Sequence, residues 1–179
     1  MKKTLILWQV FGFIFTGVTG VILHFIFDWT NESVVVAPFS AVNESIWEHM
    51  KLLFYPMLAF AIVESRYIGK DYKSFWCVKL IGIVLGVVLI PALYYTLNGM
   101  FGLTPDYVNI AIFYVAAAIS YIVEIKLMKN DIINGCLPEK AWGIFVLIAV
   151  LFTVFTFLPP QIPLFKDPVT NTYGFYQIK

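Results

Sequence analysis

The stretch Asn43-Glu44-Ser45-Ile46-Trp47-Glu48-His49-Met50-Lys51 runs without a break into the apolar segment Leu52 to Val63. As a helix that segment is about 18 Å long, at about 1.5 Å per residue, whereas a bilayer core is about 30 Å thick. To cross a membrane it has to take in the charged head. Counted from Asn43 to Arg66 the helix reaches about 36 Å, with Asn43 as its predicted N-cap and Glu48 and His49 about 8 to 9 Å below its start. Ionisable groups inside a span are costly and point to function.

The rest of the chain agrees with a membrane setting. Of 179 residues 60% are hydrophobic and 13% charged, against about 25% charged in soluble domains. A net charge of +1 offers no basic surface for nucleic acid. The run Leu5 to Phe27 is too long for a signal-peptide core and reads as an uncleaved span. Further spans are predicted over 43–66, 74–98, 106–126 and 139–158, followed by a tail over 159–179. The expected fold is all-α, a transmembrane bundle of five helices in a single domain over 1–179. Of the 12 lysines and arginines, all but Lys51, Lys166 and Lys179 fall on one side of that arrangement. The positive-inside bias then sets the N-terminus in the cytoplasm and the C-terminus outside it. Cys77 and Cys136 fall near the cytoplasmic face, so free thiols are expected.

Helical spacing suggests which groups could meet. Phe13, Gly17, Gly20, His24 and Asp28 lie along one face of the first helix, and its glycines favour close approach to another helix. Glu44 and Glu48 are four residues apart and are expected to share a face continuing through Tyr55, with His49 about 100° round. Two neighbouring carboxylates call for a positive partner. His24, Asp28, Glu44, Glu48 and His49 form a candidate metal set whose donors suit a divalent ion such as zinc. Asn43, Glu44, Glu48, His49, Lys51 and Tyr55 are the corresponding ligand-binding set. A solvated helix cap or salt-bridge network explains the same residues without any ligand.

A second, inner cluster joins Glu64, Lys79 and Glu124, read either as paired charges with a snorkelling lysine or as an inner gate for cations. Helix four carries the seam Asn109, Phe113, Ala117, Ser120 and Glu124. The five tryptophans fit interfacial belts. Prolines 159, 160 and 163 stop the fifth helix, and the aromatic tail is expected to fold back, over either the bundle mouth or the headgroups.

The runs Ser40-Ala41-Val42-Asn43-Glu44-Ser45-Ile46-Trp47-Glu48-His49-Met50-Lys51-Leu52-Leu53-Phe54-Tyr55-Pro56 and Pro160-Gln161-Ile162-Pro163-Leu164-Phe165-Lys166-Asp167-Pro168-Val169-Thr170-Asn171-Thr172-Tyr173-Gly174 resemble a family of small uncharacterised bacterial integral membrane proteins. The resemblance implies a bacterial inner-membrane protein and carries no activity or site residues with it. Three functional classes follow from the residues. The first is a multi-pass cell-membrane module that binds or transports a small solute or ion at the outer ends of helices one and two. The second is an intramembrane metal-dependent hydrolase with Glu48 as base. The third is an accessory subunit that docks a membrane protein partner.

Overall fold

A computed structural model describes residues 2–102, 105–133 and 135–175. Five helices follow one another: α1 (Lys2–Trp29), α2 (Ile46–Tyr67), α3 (Phe75–Phe101), α4 (Asp106–Asn130) and α5 (Pro138–Phe157), with short 3-10 turns at Gly69–Asp71 and Pro163–Phe165. All five are long and apolar enough to cross a membrane, consistent with a multi-pass membrane protein. The helices α1 to α4 close a ring through the pairs α1–α2, α2–α3, α3–α4 and α4–α1, and α5 packs against α3. Residues Tyr176 to Lys179, the end of the expected tail, lie outside the described residues.

Small residues set the helix spacing. Any Cβ on Gly17 would lie 2.9 Å from the Tyr114 ring, and one on Gly20 would lie 2.7 Å from Phe113 and 3.0 Å from the Leu52 carbonyl. That carbonyl has a specific origin. Pro56 sits inside α2 and has no N–H to give to the residue four positions earlier, which is Leu52. Gly20 packs where the proline leaves the backbone uncovered. On the other seam, Gly82 and Gly86 of α3 leave no room for a Cβ against Glu124 and Ser120 of α4. Their four-residue spacing is the small-xxx-small pattern of membrane helix pairs, a signal in the sequence that the reading above passed over.

The charged head behaves differently from expectation. The helix begins at Ile46, not Asn43, and its N-cap is Ser45, whose hydroxyl accepts from the Glu48 N–H. Asn43 instead folds an Asx turn, its side-chain oxygen accepting from Ser45 N at 2.9 Å. Ser45-x-x-Glu48 is the spacing of a capping box, and it competes with the longer helix because a Ser hydroxyl satisfies an orphan amide of the first turn. Glu48 and His49 therefore sit in the first turn itself, and Glu44 lies outside the helix.

The tail folds back as expected over the end where α1, α3 and α5 finish. Phe165 is buried and packs tilted against Trp47 at 4.6 Å and edge-on to Phe155 at 5.4 Å between ring centres. Trp47 thus anchors the tail. Phe175 N donates to the Thr156 carbonyl at 2.7 Å, and Gly174, at φ 61°, lies where a Cβ would meet that carbonyl at 2.6 Å. At the opposite end Cys77 and Cys136 form a disulfide with Cα atoms 6.3 Å apart, correcting the expectation of free thiols. That expectation rested on an assigned compartment, whereas the pairing follows from the α3–α5 packing, which brings the two within bonding reach.

Candidate functional site

The two acidic residues of the opening stretch part company. Glu48 and Lys51 turn inward, 1% and 0% exposed, and pair at 2.5 Å. The Glu48 carboxylate also accepts from Val42 N at 3.0 Å and lies 3.2 Å from the Thr156 hydroxyl. Lys51 Nζ donates to the Ala37 carbonyl at 2.9 Å and to Thr156 at 2.8 Å. Both charges are fully bonded, the condition under which a buried pair is tolerated. Asn43 Nδ2 adds a bond to the Gly174 carbonyl at 3.0 Å. This clamp ties the α1–α2 loop, α2, α5 and the tail together, and it leaves neither Glu48 nor Lys51 free to meet a ligand. Tyr55, half-buried, packs on Phe39 and Phe54 beside the clamp.

Glu44 goes the other way and meets the two histidines. Its Oε2 lies 3.6 Å from His24 Nε2 and 3.5 Å from His49 Nε2, and one ligand atom from each residue falls within 4.8 Å of the others. Two ligands at about 2.1 Å from a tetrahedral zinc lie about 3.4 Å apart, so the two Glu44 separations fit donors around one ion. The His49 ring is also oriented for that role. Its Nδ1 is 2.8 Å from the Ser45 carbonyl; donating there leaves the Nε2 lone pair aimed at Glu44, the arrangement that fixes the tautomer of a metal-binding imidazole. The neighbouring His24 imidazole holds the Glu44 carboxyl below its ordinary range, with partial burial acting against it and the His49 charge adding to it. Asp28, also in the sequence-derived set, is exposed at the end of α1 and is not one of the three that converge.

Behind the trio lies a cavity of about 500 Å³, lined by α1, α2, α3 and α4 and roofed by Pro168 and Val169 of the tail. Its walls are mostly apolar, including Leu52, Ile90, Ile112 and Phe113, and Asn109 contributes a buried Oδ1 with no hydrogen-bond partner among the described residues. Of the sequence-derived ligand set, Glu44 and His49 line this space; Asn43, Glu48, Lys51 and Tyr55 do not.

At the other end of the bundle the predicted inner cluster is present and goes further than an interfacial pair. Lys79, 1% exposed, lies 2.5 Å from both Glu64 and Glu124, and both carboxylates are fully buried. Lys79 does not snorkel: its ammonium sits 5.6 Å from the ring centres of Phe75 and Tyr121. Gln9 of α1, absent from the sequence reading, donates to Glu64 at 2.6 Å. Thr16 and Tyr121 pair at 2.8 Å nearby. A polar residue on an otherwise apolar helix is the signal that identifies Gln9 and Thr16.

The fold and these two clusters define an all-α bundle of five helices, each long and apolar enough to cross a membrane, with a His/Glu/His trio near the junction of α1 and α2 and a buried charged core at the far end. Residues 2–175 match a family of unknown function, DUF6512, and the chain belongs to it. Neither a curated protein nor a solved structure matches the chain.

Proposed function

We propose that this protein is a multi-pass membrane protein that holds a divalent transition metal ion through His24, Glu44 and His49, and that it binds or transports a small solute or ion at that site. The observation that carries this reading is the convergence of three ligand atoms from α1, the loop and α2 within 4.8 Å. Two imidazoles and a carboxylate suit zinc well, and three protein ligands leave a fourth position for an exogenous group. The lysine and arginine bias supports an extracytoplasmic location for the site, the Cys77–Cys136 disulfide at the opposite end favours the reverse orientation, and the family resemblance supports a bacterial inner membrane. A hydrolytic reading shares the metal but needs a base, and Glu48 is committed to Lys51 and Thr156.

Elemental analysis of protein purified without chelator tests the metal. About one equivalent is expected in the wild type and in Asp28→Asn, and less than about a tenth in His24→Ala or His49→Ala, each of which removes one of three ligands. Less than about a tenth in the wild type overturns the reading.

The pH dependence has a defined sign. Because its folded-state pKa is depressed, Glu44 contributes its stabilisation in full above the ordinary carboxylate range and loses it only as the pH falls through the lowered value. Acid should therefore displace the metal through the imidazoles, whose ordinary pKa is about 6.5. At metal concentrations near Kd, bound metal measured by equilibrium dialysis is expected to fall between about pH 7.5 and about pH 5.5. Release confined to below about pH 4.5 would assign the binding to carboxylates alone.

A further inference from the structure

We infer that the cavity beneath the His24–Glu44–His49 trio takes a bilayer lipid with an anionic phosphate or carboxylate head, the head reaching the metal and the first chain carbons filling the cavity. This rests on the metal reading above. A divalent ion beside one carboxylate leaves a net charge of +1, and its fourth coordination position is open to an anionic oxygen.

The charged and metal-ligating features of the cavity lie at its head, with the Tyr114 hydroxyl deeper, beside Gly17. His24 is near the end of α1, His49 is in the first turn of α2, and Asn109 is in the first turn of α4. In an antiparallel ring these helix ends share one level. Asn109, half-buried, lines the cavity at this level, and its side-chain Nδ2 is a donor suited to an anionic head group, whereas its buried Oδ1 only accepts. Deeper in, Gly20, Leu52, Ile90 and Phe113 present an apolar floor. Polar above and apolar below is the pattern an amphiphile matches.

The route in is lateral. Val21 of α1 and Ile110 of α4 both line the cavity and are 48% and 59% exposed on the bundle's outer surface. That surface faces hydrocarbon in a membrane, so the gap between α1 and α4 opens onto acyl chains, while Pro168 and Val169 roof the side toward water. A soluble anion would have to pass that roof; a lipid enters from the side with its chain trailing into the bilayer.

Cobalt(II) in place of zinc reports the coordination sphere through its visible absorption. The full chain in neutral detergent is titrated with Co²⁺ alone, and then with dodecyl phosphate or inorganic phosphate. Dodecyl phosphate is expected to perturb the cobalt spectrum at an at least about tenfold lower concentration, a gain that burial of two methylenes already supplies. Val21→Trp and Ile110→Trp, which block the lateral opening from two helices, are each expected to abolish that preference with Co²⁺ affinity unchanged. Either variant suffices should the other fail to fold. Equal potency of the two phosphates, a cobalt spectrum indifferent to both, or a preference that survives the tryptophans overturns the lipid inference and leaves the metal reading standing. Absence of any cobalt spectrum overturns both.

Discussion

Lys79→Met should abolish the folded bundle, seen as loss of the monodisperse peak in detergent size exclusion at ordinary temperature. The substitution is close in length, so packing changes little, and the effect is electrostatic. Glu64 and Glu124 are both fully buried and each lies 2.5 Å from the Lys79 ammonium. With that charge gone, two carboxylates would face each other without a cation, and Gln9 can donate to only one of them. Breaking a single buried pair costs about 3–5 kcal/mol, while a whole domain is stable by about 5–15 kcal/mol. Adding Glu64→Gln and Glu124→Gln to Lys79→Met removes every charge and should restore most of the melting temperature. A Lys79→Met protein as stable as wild type would mean that the cluster is hydrated and weakly coupled.

Lys51→Met should be the next most damaging change, costing about 3–5 kcal/mol by exposing Glu48 to a buried site without its cation. The loss spreads because Lys51 also donates to the Ala37 carbonyl and to Thr156. Its thermal transition should fall well below that of the wild type, with protease sensitivity appearing first in the α1–α2 loop, whose hold on α2 runs through Lys51 and Glu48. Glu48→Gln on the same chain should recover much of the loss, since Gln still accepts from Val42 N without carrying charge. A double mutant no better than Lys51→Met would show that the pair is uncoupled. Metal content separates this clamp from the site beside it: Glu48→Gln with Lys51→Met is expected to retain the ion, because neither residue belongs to the trio.

The five long apolar helices were legible because a bilayer imposes a length, and a run such as Leu5 to Phe27 meets it by composition alone. The glycine stripe of α1 was legible for a similar reason, since it needs only helical spacing and a rule about close approach. The division of labour between Glu44 and Glu48 was not. It depends on where α2 starts, and a two-residue shift of the N-cap from Asn43 to Ser45 takes Glu44 off the helix and toward His24. The Ser45-x-x-Glu48 spacing carried that information. Thr156 and Gly174 were out of reach in another sense: their partners are more than 100 residues away in sequence, and no local pattern encodes such pairs. The Cys77–Cys136 bond was missed because compartment was argued before proximity.

The clamp also bears on how the chain enters its membrane. Among the five spans α2 is the least apolar and the most buried, and its head is completed by Thr156 and Gly174 from the far end of the polypeptide. When α2 emerges during synthesis, α5 and the tail do not yet exist, and Glu48 and Lys51 have little but each other. Such a segment gains least from lipid on its own and settles only as its protein neighbours arrive. The tail is therefore a late-arriving latch: the head of the second helix is completed only by residues made after the fifth.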